Sequence, residues 1–224
     1  MAITREFLKH QLICGKKMED PDLVATNLSP AGVKDLLRKD LDARDPWNIS
    51  SCEYEQKRLH AIMELCLGGR TLGDVLEIGC AAGALTERLS IYSQSLTVVE
   101  LMTEAIAKAQ ERVNNSDIIW HEQDVCQMDL NAKYDTIICT EVLYYIHEKE
   151  RLRGALENIV QLLRSDGQFI FGSPRNAVCR SWGHLFGAEA VLELAQSRLR
   201  IVDLRRINGG LPGQDCVIAK LTRR

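Results

Sequence analysis

The sequence predicts a doubly wound α/β fold: a mostly parallel, seven-stranded sheet with an antiparallel last strand and an N-terminal helical cap. Two observations lead to this prediction. From about residue 74 onward, short apolar runs rich in β-branched residues alternate with segments whose apolar residues are three and four apart. The first 70 residues have helical periodicity and no strand signal. We therefore expect a single domain over residues 1–224, with the cap at 1–70 and the core at 71–224.

The individual elements follow from the same patterns. Five runs that are apolar on both faces are typical of buried parallel strands, and they lie at 74–79, 95–100, 117–120, 134–140 and 168–173. Helices are expected between and around them at 32–43, 53–67, 83–90, 103–113, 148–163 and 188–197. Residues 165–167 read as a turn. Two further strands, at 199–204 and 216–221, are joined by a glycine-rich loop without a helix and should pair antiparallel.

Composition excludes several classes of protein. The 28 Lys and Arg against 31 Asp and Glu give a net charge of −3, which does not support a nucleic-acid footprint. No apolar run approaches the ~18 residues that span a bilayer, and the charged N-terminus lacks the apolar segment of a signal peptide. The eight cysteines form no CxxC pair and the five histidines have no ligand spacing. We expect reduced thiols, no metal, no membrane or nucleic-acid partner, and a cytoplasmic monomer.

The loop after the first core strand is suited to a ligand. Gly79 and Gly83, with the small Ala81 between them, let a ligand approach backbone N–H groups at the start of a helix. Glu100 closes the second strand, 21 residues after Gly79, where a carboxylate can accept hydrogen bonds from both ribose hydroxyls. A tight turn without a ligand is the alternative reading of the glycines alone.

Two candidate ligands fit this geometry, and the acidic residues distinguish them. A dinucleotide site would have Gly-x-Gly-x-x-Gly, but Ala81 and Ala84 stand at the second and third glycine positions. Glu77 near the loop can instead hold an ammonium group. Asp124, after the third strand, can accept from an adenine amine while Val125 packs on the ring or donates its N–H; taken alone, Asp124 would be a solvated loop acid. Ammonium, ribose diol and adenine together predict S-adenosyl-L-methionine, with S-adenosyl-L-homocysteine as product.

Five runs of residues carry a family resemblance. They are Asp45-Pro46-Trp47, Tyr54-Glu55-x-x-Arg58, 76–84, 141–145, and Phe171-Gly172-Ser173 through Cys179-Arg180-x-Trp182-Gly183-His184. Over roughly residues 40–222 the chain resembles the NodS-type nodulation methyltransferases, which are class I S-adenosylmethionine-dependent enzymes with a Rossmann-like sheet. The resemblance implies N-methylation of the free terminal amine of a de-N-acetylated chitooligosaccharide, a precursor of Nod factors. The chain departs from the family at Glu100, usually aspartate, and at Pro174 and Asn176, usually alanine and aspartate.

The acceptor is expected beside the segment 140–145, because open α/β sheets bind ligands at the carboxyl ends of their strands. Glu141, Tyr144 and His184 are the catalytic candidates, to orient or deprotonate the acceptor amine. The acceptor itself should contact Tyr145, Arg180 and Trp182, with the indole stacked on a sugar ring. Each of these assignments has a structural alternative. Glu141 could be a helix cap or a structural acid, and one of Tyr144 and Tyr145, which are expected to point in different directions, could be a core residue. His184 could lie on the surface, and Trp182 could be a wedge that packs against the cap.

The cap contributes two candidates to the cofactor site. Arg58, one turn after Tyr54, can clasp the methionine carboxylate, or it lies on a solvated helix face. Trp47 is expected to anchor the cap by burial, and a role as a lid over the cofactor is the secondary interpretation. The complete predicted cofactor set is Trp47, Arg58, Glu77, Gly79, Cys80, Ala81, Gly83, Glu100, Leu101, Met102, Asp124, Val125 and Thr140.

Two other functions stay open at this point. The chemistry could be the same with another small-molecule or natural-product amine or hydroxyl as acceptor. A non-catalytic cofactor-binding module would show a damaged loop, whereas Glu77, Gly79, Gly83 and Glu100 are all intact.

Overall fold

The computed structural model describes residues 12–13, 16–17, 30–41, 45, 47–49, 51–68 and 71–224. Its strands are β1 (Leu12–Ile13), β2 (Lys16–Lys17), β3 (Asp74–Ile78), β4 (Ser95–Glu100), β5 (Ile119–Glu122), β6 (Tyr134–Thr140), β7 (Leu163–Pro174), β8 (Leu199–Asn208) and β9 (Asp215–Arg223). Its α-helices are α1 (Pro30–Leu41), α2 (Glu53–Leu67), α3 (Ala84–Tyr92), α4 (Thr103–Val113), α5 (Lys149–Leu162), α6 (Asn176–Ser181) and α7 (Ala188–Ala195). Two 3₁₀ turns lie at Val125–Gln127 and Leu143–Tyr145.

Seven strands form one sheet in the order β5-β4-β3-β6-β7-β9-β8. The first five are parallel, and β9 runs antiparallel to both β7 and β8. The predicted fold class is confirmed. From β3 the chain proceeds to β4 on one side and later to β6 on the other, and Ile78 lies opposite both Val99 and Cys139. The crevice at this switch point is where such sheets bind ligands.

Helices cover both faces of the sheet. On one face, α5 and α7 bury a cluster that contains Phe169 and Phe171. On the other, α2 and α3 pack on the strands, with Ile62 and Cys66 of α2 fully buried. The second of the two predicted cap helices is therefore also a core helix. The first, α1, packs through Leu41 against Met102.

Four local expectations were wrong. The turn predicted at 165–167 lies inside β7, where the pairing with β6 shifts register. The loop expected before Cys179, with Pro174 and Asn176, gives way at Asn176 to the short helix α6. A two-residue antiparallel ribbon, β1 with β2, occurs in the segment without strand signal. Six of the seven described cysteines are free, but Cys52 is disulfide-bonded.

Some expectations fall outside the described residues: Pro46, residues 42–44 at the end of the first predicted helix, and most of residues 1–29. In the part of the chain that is described, no helix has the length and apolar character needed to cross a bilayer. The same residues contain no group of three His, Cys, Asp or Glu arranged for a metal ion.

Candidate active site

The loop between β3 and α3 lies at the carboxyl edge of the sheet in a conformation that favours glycine. Gly79 has φ +81° and Gly83 φ +79°, and even Ala81 is left-handed at +48°. The N–H of Gly79 donates to the Val99 carbonyl at 2.8 Å. A Cβ on Gly79 would lie 2.2 Å from Cγ2 of Val142. The loop therefore packs directly against the segment that follows β6, with little room for a larger side chain.

Glu77 is a buried carboxylate without a partner. Only 1% of the residue is exposed, and neither side-chain oxygen has a hydrogen-bond partner. Burial, with a smaller contribution from Glu100, raises the pKa of Glu77 to about 8, and the nearby Thr86 hydroxyl acts in the opposite direction. The hydroxyl oxygen of Thr86, like the carboxyl oxygens of Glu77, is buried without a hydrogen bond. A buried carboxylate in this state is stabilised by a cationic group that can approach it. This fits the ammonium group of the predicted cofactor.

Glu100 joins the end of β4 to the glycine loop. Its Oε1 accepts from the N–H groups of Leu101 at 2.7 Å and Met102 at 3.1 Å, and its Oε2 accepts from the N–H of Ala81 at 3.2 Å. Burial raises the pKa of Glu100, and these backbone donors pull it back down. These bonds use three of the four lone-pair sites of the carboxylate, so Oε2 keeps one site for a ribose hydroxyl.

Asp124 caps the first 3₁₀ turn rather than lying free in a solvated loop. Its Oδ1 accepts from the N–H of Cys126 at 2.9 Å, and its Oδ2 pairs with Arg151 at 3.0 Å. Val125 beside it is buried. The solvated-acid alternative is wrong, and contact with adenine stays a prediction.

The remaining predicted cofactor residues lie around these carboxylates. Trp47 packs with Leu101 on the cluster that holds Met102 and Leu41, which joins the cap to the end of β4. Cys80 in the glycine loop is buried. Thr140, the last residue of β6, is buried too, at 8% exposure.

Glu141 directly follows β6 and has strained backbone geometry. Its φ of +61° is unusual for a residue with a side chain. The strain is held by the hydrogen bond from its N–H to the Gly172 carbonyl, at 3.0 Å. Such strain costs about 1–3 kcal/mol and clusters at functional sites. The 3₁₀ turn begins after Val142 without a side-chain cap, so the helix-cap alternative for Glu141 is wrong.

The carboxylate of Glu141 is close to a buried cation. Its Oε1 is buried without a hydrogen bond, and lies 3.5 Å from Nη1 of Arg58, an ion-pair distance. Burial raises the pKa of Glu141 to about 7, while Arg58 opposes and Glu55 favours that rise. A carboxylate with a pKa near neutrality can accept a proton at working pH.

Arg58 is buried between two acids instead of facing solvent. It is 8% exposed, so the solvated-face alternative is wrong. Both Nε and Nη2 donate to Oε2 of Glu55, at 2.9 and 2.6 Å. Burial opposes its charge, but Glu55 and Glu141 together raise its pKa overall. The methionine-carboxylate role stays a prediction, and that carboxylate would share the guanidinium with two others.

Aromatic rings form a cluster beside Glu141. The rings of Tyr144 and Tyr145 lie 4.4 Å apart, and their hydroxyls are 3.2 Å apart. The two tyrosines therefore do not diverge, which corrects the expectation; Tyr144 is the buried one, at 6% exposure. His184 packs edge-on against both rings, at 4.9 and 5.1 Å, and Trp182 lies 6.3 Å from Tyr144.

His184 is buried rather than exposed. Only 5% of the residue is accessible, so the surface alternative is wrong. Its Nδ1 lies 2.9 Å from Nε2 of His147. Burial, with a smaller effect of His147, lowers the pKa of His184 to about 4. The ring is therefore neutral at physiological pH.

Comparisons with known proteins identify the family of this chain. The family model described as Nodulation protein S (NodS) matches residues 29–224. The chain belongs to the NodS family. Nodulation protein S of Sinorhizobium fredii strain NGR234 is 35% identical over 88% of this chain and 92% of its own length, and that of Rhizobium tropici is 33% identical over 98% and 94%.

A solved structure extends the similarity to three dimensions. The N-methyltransferase NodS from Bradyrhizobium japonicum WM9, in complex with S-adenosyl-L-homocysteine, aligns with a TM-score of 0.82 and 35% identity, over 84% of this chain and 97% of that one. This NodS family member is an S-adenosylmethionine-dependent methyltransferase, as its sequence predicts. The buried, unpartnered carboxylate of Glu77 and the glycine cradle fit that cofactor.

Two residues of the candidate site were not predicted from the sequence. Glu55 is the carboxylate nearest Arg58, and His147 is the partner of His184. Neither carries a motif signal, apart from the place of Glu55 in the family-like run 54–58. Arg180 is exposed, and its Nε donates to the Asn176 carbonyl at 3.3 Å. Asn176, one of the departures from the family, accepts from the N–H groups of Gly187 and Ala190 and so caps α7.

Proposed function

We propose that this chain transfers the methyl group of S-adenosyl-L-methionine to the free terminal amine of a de-N-acetylated chitooligosaccharide. The single observation that carries the amine assignment is Glu141: a strained, partly buried carboxylate with a pKa of about 7 at the carboxyl edge of the sheet. Family membership supports the acceptor class. We also propose one methyltransferase domain, acting as a cytoplasmic monomer; the six free thiols support a reducing compartment, and the disulfide-bonded Cys52 counts against it.

Charge balance around Arg58 favours a cationic acceptor. Glu55 and Glu141 are two carboxylates around one guanidinium, so the cluster carries a net charge of −1 whenever Glu141 is ionised. In a site of low dielectric constant this charge attracts an ammonium group more strongly than in water. A protonated amino sugar is such a group, whereas a neutral hydroxyl gains much less.

The proton balance then assigns Glu141 its role. An ammonium nitrogen has no lone pair, so it must lose a proton before it can attack. Glu141 accepts that proton, since its pKa of about 7 lies near the 7.7–8.0 of a reference α-amino group. The nitrogen–methyl bond then forms while the sulfur–methyl bond breaks, and its electron pair returns to sulfur. Most of the acceleration would come from alignment of the two reactants.

On the cofactor side, we propose that the residues divide by ligand group. Glu77 holds the ammonium, Glu100 the ribose hydroxyls and Asp124 the adenine amine. Bound S-adenosyl-L-methionine supplies an electrophilic methyl on a positively charged sulfur. On the acceptor side, Trp182 and Tyr145, both half-buried, offer ring faces or edges to a sugar.

The test is mass spectrometry of acceptors incubated with the protein and isotopically labelled S-adenosyl-L-methionine. An oligomer with one free amine at its non-reducing end should gain one labelled methyl group. The fully N-acetylated oligomer should gain none, because an amide nitrogen has donated its lone pair to the carbonyl. Methylation of an unrelated small amine, with none of the amino sugar, would overturn the acceptor assignment.

Glu141→Gln tests the proton acceptor in the same assay. We expect kcat/KM of the wild type to rise with pH through about 7, as Glu141 loses its proton. In the variant kcat/KM should fall about 100-fold or more, and its remaining increase with pH should follow the deprotonation of the acceptor amine alone. The matched control is Glu157→Gln on the exposed side of α5, which should keep the wild-type profile. A Glu141→Gln enzyme with wild-type rate and profile would refute the assignment.

A further inference from the structure

The structure assigns a positioning role to His147: it fixes the tautomer of His184, so that His184 presents an N–H donor, and no base, to the acceptor. The observation is the 2.9 Å distance between Nε2 of His147 and Nδ1 of His184. The two rings cross at 76° with centroids 5.2 Å apart, which suits a hydrogen bond in the plane of each ring. The role toward the acceptor rests on the proposed function; the pairing does not.

A contact of this length between two ring nitrogens allows only one proton. Two N–H groups facing each other would clash, and two lone pairs would repel, so one nitrogen donates and the other accepts. Both rings are neutral at physiological pH, because burial lowers the pKa of His147 and lowers that of His184 to about 4. The pair is therefore one neutral donor and one neutral acceptor.

The direction of the bond follows from tautomer preference. If Nε2–H of His147 donates to Nδ1 of His184, both rings carry their proton on Nε2, the favoured position in a neutral histidine side chain. The opposite direction would place both protons on Nδ1. The first arrangement is the more stable, and it leaves Nε2–H of His184 as a donor that has no hydrogen-bond partner among the residues the structure describes.

The ring of His184, which carries this donor, lies in the aromatic cluster beside Glu141, the proposed proton acceptor. His184 packs edge-on against Tyr144 and Tyr145, and Glu141 is close enough to raise the pKa of Tyr144. A ring N–H here can hold an oxygen of the sugar, a hydroxyl or an N-acetyl carbonyl, while the amine faces Glu141. His184 then orients the acceptor, and only Glu141 removes its proton.

The tautomer can be read directly from long-range ¹⁵N–¹H spectra of the wild-type protein, which separate Nε2–H from Nδ1–H histidines. His184 should show the Nε2–H pattern at pH 7. His147→Ala should add a minor Nδ1–H population, because Nε2–H stays the favoured position of a neutral ring but is no longer enforced by a donor at Nδ1. His147→Gln should restore the wild-type pattern, because the amide N–H can replace the ring donor. The exposed His60→Gln variant is the matched control, since that ring pairs with Glu64 on α2, and it should leave the His184 signals unchanged.

Kinetics supply the second readout. Loss of one neutral hydrogen bond is worth about 0.5–1.5 kcal/mol, or about 2- to 10-fold, and we expect that increase in the KM for the amino-sugar acceptor in His147→Ala, with recovery in His147→Gln. Affinity for S-adenosyl-L-homocysteine should not change. An Nδ1–H pattern for His184 in the wild type, or an unchanged pattern in His147→Ala, would overturn the pairing. The expected tautomer in an enzyme that does not methylate amino sugars would overturn the proposed function and leave the pairing intact.

Discussion

Replacing Glu77 by Gln should stabilise the ligand-free protein at neutral pH while weakening its binding of the cofactor. The opposite signs have one cause. The Glu77 carboxyl is buried with no hydrogen bond to either oxygen, and burial raises its pKa from 4.5 to about 8. Glutamine has nearly the same shape and never ionises, so it avoids the cost of the buried charge but cannot pair with an ammonium group.

The size of the stability effect follows from the two pKa values. Between pH 4.5 and 8 the folded chain keeps a proton that the unfolded chain has lost. The free energy of unfolding therefore falls as pH rises, by about 1.4 kcal/mol per pH unit, and the loss is complete above pH 8. The glutamine variant lacks this loss. Its advantage over the wild type should be below ~1 kcal/mol at pH 5 and about 3 kcal/mol at pH 7.

Urea unfolding of both proteins at pH 5, 6, 7 and 8 measures this difference. The exposed Glu157→Gln variant is the control and should track the wild type. Calorimetry should show weaker S-adenosyl-L-homocysteine binding by Glu77→Gln. Wild-type binding at pH 7 should release nearly one proton, since the ligand's ammonium restores the ionised carboxylate. If the two proteins lost stability in parallel from pH 5 to pH 8, Glu77 would not hold the extra proton and the reasoning would fail.

Three further substitutions test other parts of the site. Glu100→Ala should weaken S-adenosyl-L-homocysteine binding about 10- to 150-fold, the loss expected for hydrogen bonds to a charged group; calorimetric affinity equal to wild type in a folded variant would remove Glu100 from the site. Arg58→Ala leaves the buried Glu55 without its cation, so denaturant unfolding should show a loss of about 3–5 kcal/mol, and a loss below ~1 kcal/mol would mean that the pair is solvated. Gly79→Ala should lower the free energy of unfolding by more than the ~1–2 kcal/mol of left-handed strain, because its Cβ meets Val142 at 2.2 Å. Adding Val142→Ala should restore the stability lost to the clash but not the stability lost to backbone strain. Full recovery of the free energy of unfolding, or no recovery, would contradict this division.

The local pattern of apolar residues was enough to predict the architecture. The period of the apolar residues distinguishes helix from strand wherever a segment is long and buried on a consistent face, and α2 and α4 were placed at their observed bounds. The glycine loop was recognisable because a left-handed backbone needs residues without a large side chain. Pattern failed at 165–167, where Ser-Asp-Gly reads as a turn but lies inside β7 next to a shift in register, and at α6, which is too short to show a period.

Candidate residues for the site could be proposed from the sequence in the same way, but the ionisation state of their side chains could not. Residue type and position at or near the carboxyl end of a strand sufficed to propose Glu77, Glu100 and Glu141, because parallel strands end at one edge of the sheet. Nothing in the sequence distinguishes a carboxyl with a pKa near 8 from one with an ordinary value. That difference depends on how many packed layers exclude water from it.

The sequence by itself determined the order of strands and helices and the class of cofactor, and it proposed candidate carboxylates to hold it, since these depend on local periodicity and on residue chemistry at strand ends. Only the tertiary structure decided which charges meet. It brings Arg58 to Glu141 and His147 to His184, and turns two neighbouring tyrosines toward each other. The physical reason is that pairing and desolvation are properties of the surroundings of a side chain, and those surroundings come from segments far apart in the chain.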